Sequence, residues 1–227
     1  MTKRISSQPK KKKKEKKENK PDLDKQIVIV NNIQAPSLDN ELRTLNLYGD
    51  ITEKKASDVT AGLLYLENSS HTLMQKDPND HESEEILVAK PISMMVSTHG
   101  GSAAEMFSIL DVMDMIKRRT CDIETFGIGK VMSAGVPILA AGTKGKRKVG
   151  KNCRIMLHNV MAGTGGTIFS MENELEEIKW VQERYIQCLS EYTKLTPSKI
   201  KKLLKTQKDV YISSDEAIKM GIADEII

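Results

Sequence analysis

Residues 43–227 repeat one pattern: a short apolar run, a turn of small residues, then apolar positions three and four apart. RTLNLYGDI (43–51) alternates apolar with polar side chains before Gly49-Asp50, which predicts a strand. Behind it, TEKKASDVTAGLLYLEN sets Val59, Leu63, Leu64 and Leu66 where an amphipathic helix needs them. Residues 68–86 are polar and contain Pro78-Asn79-Asp80, the signal for a loop. ISMMVS (92–97) is almost continuously apolar, as suits a strand of a parallel sheet covered on both faces.

Further along, Gly100-Gly101 is expected to open a helix whose apolar face holds Ala103, Met106, Phe107, Leu110, Met113 and Ile116. Residues 123–126 read as a short strand, 127–135 as the turn into another helix, RIMLH (154–158) as a strand and AGTGG (162–166) as irregular. A long helix over 171–192 aligns Leu175, Ile178, Val181, Tyr185 and Leu189 on one stripe. Thr196-Pro197 caps and starts the next helix. Ser213 and Glu216 form a capping box for a last short helix that Gly221 ends, and 222–227 suits a terminal strand. Alternating strands and helices assign an α/β fold, with no strong boundary after residue 40.

Charge divides the chain more sharply than hydropathy does. The net charge is +4, yet residues 1–25 carry ten lysines and one arginine against four acids, a local charge of +7, so the remainder is mildly acidic. That segment, with KKKKKEKKENK at its centre, has almost nothing apolar and is expected to be a disordered arm. The plain reading is a solubilising tail; contact with nucleic acid, an anionic surface or a protein is the alternative. A lysine run supplies charge without a geometry for reading bases, so it does not make this a nucleic-acid enzyme. Residues 26–42, including QIVIV at 26–30, form a link that holds a short strand or the tail's junction. No apolar run approaches the roughly 18 residues of a membrane span. Three cysteines, Cys121, Cys153 and Cys188, are odd in number and far apart, which favours a reducing compartment over a disulfide framework or zinc site.

Chemistry centres on GIGKVMSAG (127–135), where Ser133 has two readings: a helix cap in a buried turn, or a nucleophile. A serine there has first-turn amides beside it, Ala134 first among them, and such donors can meet an oxyanion. A nucleophilic serine needs a base, and the base needs a carboxylate to orient it. His158, ending the apolar strand, is the plausible base; taken alone, a strand-end histidine is more often structural. His71 and His81 fall in the polar region, and His99 beside Gly100-Gly101 is either near a ligand or merely tolerated in a turn. Asp209, between the helix beginning at Pro197 and the segment 210–213, is the candidate acid on an ordered loop. Asp111 and Asp114 sit within a helix pattern, and Asp215 suits the first turn of a helix. Gly101 offers a second amide for an oxyanion hole, although a glycine pair is equally a plain strand-to-helix turn. The G-x-S-x-G elbow is absent.

At these residues the sequence resembles the Clp protease proteolytic subunit family of serine peptidases. GIGKVMSAG resembles its nucleophile segment, AAGTKGKRKVGKNCRIMLHN the stretch leading to its histidine, STHGGSAAEMFSILDVMDMIK its glycine-pair segment and KDVYISSDEAIKMGIADEI its C-terminal segment. RTLNLYGDI resembles its first core strand. The resemblance implies catalytic Ser133, His158 and Asp209, an oxyanion hole from Gly101 and Ala134, and substrate backbone lying beside Ser102, Ala103, Met161 and Ala162. It also implies a crotonase-like spiral of ββα units over 43–227, with a protruding handle near 163–192. Seven-membered rings stacked into a tetradecamer and an unfolded polypeptide substrate delivered by a hexameric AAA+ unfoldase follow, in a bacterial or phage-infected cytoplasm. No cofactor or metal is expected. The sequence departs from the family in five features: His99 replaces its usual proline, Asn159-Val160 its glutamine-proline, the interval from His158 to Asp209 is slightly longer, the loop near 69–90 is enlarged, and the basic tail replaces its short N-terminal segment. Two other readings use the same residues: a catalytically inactive ring subunit with a structural or adaptor role, and a coenzyme-A-thioester hydratase or isomerase, which needs no serine nucleophile.

Overall fold

The apolar run 92–98 fully buries every second residue and lies inside one sheet, between two parallel neighbours. A computed structural model describes residues 42–77, 79, 83–119, 121–205 and 208–227. The lysine-rich tail, the 26–30 segment and His81 lie outside the described residues. In chain order the elements are β1 (Thr44–Tyr48), α1 (Glu53–Asn68), β2 (His71–Gln75), β3 (Glu85–Ala89), β4 (Ile92–Thr98), α2 (Ala103–Arg118), β5 (Ile123–Met132) and α3 (Gly135–Ala140). There follow β6 (Arg147–Val149), β7 (Arg154–Leu157), α4 (Ile168–Tyr192), α5 (Pro197–Leu204), β8 (Val210–Ile212), α6 (Ser214–Met220) and β9 (Glu225–Ile226).

Strands β1, β4, β5, β6 and β9 lie side by side, all parallel. Strand β5 divides its pairing: residues 125–127 face β6, and residues 130–132 face β7. Strand β8 then runs antiparallel to β7, which makes the sheet mixed. The register of β5 with β4 shifts between Val96 and Thr98, where the bulge re-aims the end of β5. Met94 and Val96 in β4 are fully buried against Met106, Ile109 and Met113 of α2, with Val59 and Leu63 of α1 in the same core. At about 25 cal/mol per Å² of apolar surface, this burial is the main source of stability.

Several expectations hold at their local causes. Thr196 caps α5 with Pro197 in its first turn, and Ser213 and Glu216 exchange both capping-box hydrogen bonds at α6. Two expectations are corrected. The polar segment expected as a loop at 68–86 contains β2, which pairs antiparallel with β3 as a separate two-stranded sheet. Pairing partners ten to eighteen residues apart, not local composition, create it, and backbone bonds close its base, from Lys90 N to Ser70 O at 2.9 Å. The 127–135 stretch is not mainly a turn: β5 runs through its glycines to Met132, because β7 supplies a ladder for the last three residues. Strand β6, three residues between two partners, carried too little pattern to be read.

One buried ionic clamp ties the C-terminal elements together. Arg147, 4% exposed, donates Nε to Asp224 Oδ2 at 2.7 Å and Nη1 to the carbonyls of Ala140, Tyr192 and Gly221. A guanidinium is the side chain with enough donors in a fixed plane to serve these positions at once.

Candidate active site

Four neighbouring strand ends converge on one edge of the sheet. Strand β4 ends at Thr98, β5 at Met132, β7 at Leu157, and β8, running oppositely, starts at Val210. The residues just beyond are His99 to Gly101, Ser133, His158 and Asp209. Crevices outside the carboxyl ends of parallel strands are where α/β sheets bind ligands.

Ser133 is not a helix cap. Its φ is +52°, the single positive φ of a non-glycine among the described residues, and the α3 cap position is Ala134, which makes no side-chain cap bond. The left-handed backbone costs about 1–2 kcal/mol in a residue with a Cβ. Its neighbours hold it there: Ser133 N donates to Met156 O at 2.8 Å, and its carbonyl accepts from Val136 N at 3.0 Å and Tyr185 Oη at 3.5 Å. Tyr185, from α4, is buried beneath the turn, and burial pushes its phenol far above the ordinary range.

On the other side of this turn, Gly100 N donates to the fully buried Thr98 Oγ1 at 2.9 Å, and Gly100 O accepts from Ile51 N at 2.8 Å. Helix α2 begins only at Ala103, with Ser102 as its cap, so the glycines precede the helix instead of opening it. Gly101 has φ +150° and so little room that a Cβ would stand 2.4 Å from Ile51 O. The amides of Gly101 and Ala134 both belong to residues lining one cleft, and among the described residues neither donates a hydrogen bond.

That cleft, of about 290 Å³, is lined by Ser133 and His158 together with His99, Ser102, Ala103, Met106 and Met161 among others. Ala162, expected beside them, does not line it. A second cavity of about 180 Å³ is lined by His158, Lys208 and Asp209. His158, Asn159 and Met161 line both cavities, so His158 borders the serine side and the aspartate side alike. The β7–β8 ladder pairs Met156 with Tyr211 and ends at Leu157 with Val210; His158 directly follows and Asp209 directly precedes that last pair along the chain.

Among the described residues no hydrogen bond joins Ser133 to His158 or His158 to Asp209. Asp209, expected on an ordered loop rather than a free surface, is exposed, as is Lys208 before it; among the described residues β8 is three residues long and pairs only with β7. Asp114 is engaged elsewhere, accepting from Tyr192 Oη at 2.6 Å and pairing with Lys117. Among the described residues no three His, Cys, Asp or Glu side chains form a metal-holding group.

Sequence reasoning missed two supports. Tyr185 read only as part of an apolar stripe. Gln182, one turn away on α4, accepts from Val160 N at 2.7 Å and so fixes the segment after His158, while Asn159 Nδ2 donates to Leu204 O at 2.9 Å. The Asn159-Val160 pair was the visible signal that this segment has its own tether.

The family model described as Clp protease matches residues 82–227, more than half of the chain. The match takes in β3 to β9 and every strand end that borders the cleft; β1, α1 and β2 precede it. Among the described residues no helix is long and apolar enough to cross a membrane.

Proposed function

The chain belongs to the Clp protease family, and from that premise we propose that it is a serine endopeptidase acting on unfolded polypeptides, with Ser133 as nucleophile, His158 as base and Asp209 as its orienting acid. A protease role in general accompanies the family; the particular triad is our reading. The observation that carries it is His158 lining both the cleft of Ser133 and the cavity of Asp209.

In this reading His158 takes the hydroxyl proton as Ser133 Oγ attacks the peptide carbonyl carbon. The carbonyl π electrons move to oxygen, and the amides of Gly101 and Ala134 donate to that oxyanion. Asp209 holds the imidazole tautomer and stabilises the imidazolium. His158 then protonates the leaving amine as the C–N bond breaks. Water, deprotonated by His158, then attacks the acyl carbon; the ester bond to Ser133 Oγ breaks, the acid product leaves, and His158 returns the proton to Ser133. The three side chains must draw together for this to happen. Catalytic contacts that are long without substrate and tighten on binding are a familiar behaviour of such sites.

The fold reading extends to a crotonase-like spiral, a domain over 43–227 and α4 as the handle. Ile168, Phe169 and Trp180 are 68%, 79% and 58% exposed on α4, an apolar surface that supports burial between rings. We read the assembly as two stacked heptamers fed by a hexameric AAA+ unfoldase that hydrolyses the ATP. The unjoined triad favours one other reading, a ring subunit that scaffolds without cleaving.

Intact mass after treatment with a fluorophosphonate probe separates the two. Peptidase function gives one adduct on Ser133, none in Ser133→Ala and a greatly reduced yield in His158→Ala. An assembled, folded ring that takes no adduct supports the scaffold. Native mass spectrometry tests the fourteen-mer independently.

A further inference from the structure

We propose that His99 is a specificity-determining residue that gives the cleft a preference for an acidic side chain beside the scissile bond. The inference rests on the cleft being the peptidase site described above. The residues that line the cleft include no carboxylate, ammonium or guanidinium group; its titratable members are His99 from the β4–α2 turn, His158 after β7, and Tyr185 from α4. Tyr185 points its hydroxyl at Ser133 O, and His158 is the base. His99 is thus the one cationisable group on this wall left for the substrate.

Its position is rigid where it matters. The backbone is pinned on both sides of His99, by Gly100 N to Thr98 Oγ1 and by Ile51 N to Gly100 O, while the side chain itself is exposed. Among the described residues His99 has no hydrogen-bond or ion-pair partner. The next residue, Gly100, abuts the Ser133 turn, so the imidazole stands one residue from the reaction centre. Protonated, it donates a charge-assisted hydrogen bond to a carboxylate, the stronger kind. The rest of the lining is small or apolar (Ala103, Met106, Val160, Met161) and accepts a neutral side chain without discriminating by charge.

The test uses full-length protein and matched fluorogenic peptides that differ only in Glu or Gln on either side of the cleaved bond. The ratio of kcat/KM for the Glu to the Gln peptide is expected to be about three- to tenfold higher in the wild type than in His99→Gln. The same pairs are measured by fluorescence anisotropy on Ser133→Ala, which binds without turnover. A Glu preference in binding that disappears in His99→Gln,Ser133→Ala sustains the inference even where no hydrolysis is seen, and only the catalytic reading then falls. Equal ratios in wild type and His99→Gln, in both measurements, overturn it. Charge preference that persists in His99→Gln overturns it as well, since another group then supplies the discrimination.

Discussion

The backbone of Gly100 lies directly against Ser133: a Cβ on residue 100 would stand 2.7 Å from the Ser133 Cβ and 3.1 Å from Ala134 N. The contact links the end of β4 to the end of β5 through backbone, where no side-chain motion can relieve crowding. Gly100→Ala meets both this overlap and a φ of +103°, a conformation costing about 1–3 kcal/mol for an L residue. We expect at least a hundredfold loss of Ser133-dependent peptide turnover, with circular dichroism showing the fold retained. Wild-type turnover in a folded Gly100→Ala protein would show that the Ser133 turn tolerates displacement.

Gln182 gives a paired test. Its Oε1 accepts from Val160 N at 2.7 Å, which orients the amide and leaves the buried Nε2 without a partner. Gln182→Leu removes a useful acceptor together with a costly orphan donor, so melting temperature should change little. Turnover should drop about tenfold, mainly in kcat, because the segment after His158 loses its tether. Gln182→Glu keeps the acceptor and should restore most of the activity. Equal kcat in all three proteins would remove the tether from the account.

Much of the fold was readable because its causes are local. The doubly covered strand ISMMVS, the Thr196-Pro197 start and the Ser213/Glu216 box each depend on residues a few positions apart. What was missed depends on distant partners. HTLMQ is a strand because EILVA lies beside it, and RKV because β5 and β9 flank it. Within the candidate site, Ser133 and His158 could be named from their segments, and their common cleft agrees with that. The left-handed backbone at Ser133, the Gln182 tether and the exposure of Asp209 could not be named, since each follows from how separate elements pack.

Asp224 ties stability to acid. Burial alone would raise its carboxyl, but hydrogen bonds from the Arg147 side chain and amide, with the guanidinium charge, hold it below the usual carboxylate range. A group depressed in the folded state stabilises above its unfolded pKa, about 3.9, and that contribution is lost as pH falls through the folded value. Thermal melts should therefore weaken below about pH 4. Asp224→Asn should cost about 2–4 kcal/mol at neutral pH, since Arg147 is left buried and unpaired, and should show a shallower acid dependence. An unchanged melting temperature would mean that the carbonyls of Ala140, Tyr192 and Gly221 suffice for the guanidinium.

The cysteines should be inert. Burial pushes the thiols of Cys153 and Cys188 up to about 11 and raises that of Cys121. The thiolate is the nucleophile, so at about pH 8 little of it forms. Iodoacetamide should leave the native protein unmodified by intact mass and add three groups in denaturant, matching the three free cysteines. Fast native alkylation would place at least one thiol in contact with solvent.

The β2–β3 ribbon should be dispensable for folding. It belongs to a sheet of its own and its ends meet at Ser70 and Lys90. Replacing residues 72–88 by a two-residue turn should leave the melting temperature within about 4 °C of wild type, equivalent to about 1 kcal/mol. A larger drop would show that Leu73 or Leu87, 63% and 65% exposed, packs against another subunit in the assembled protein.

Because β5 leaves β6 for β7 partway along its length, its alignment is fixed twice, by two unrelated neighbours. A slip of one residue would turn the side chains of both segments inside out at the same time. An error at either end is thus opposed by the other. The hydroxyl-bearing turn at its tip inherits that double insurance, and its place along the chain direction is set before any ligand arrives.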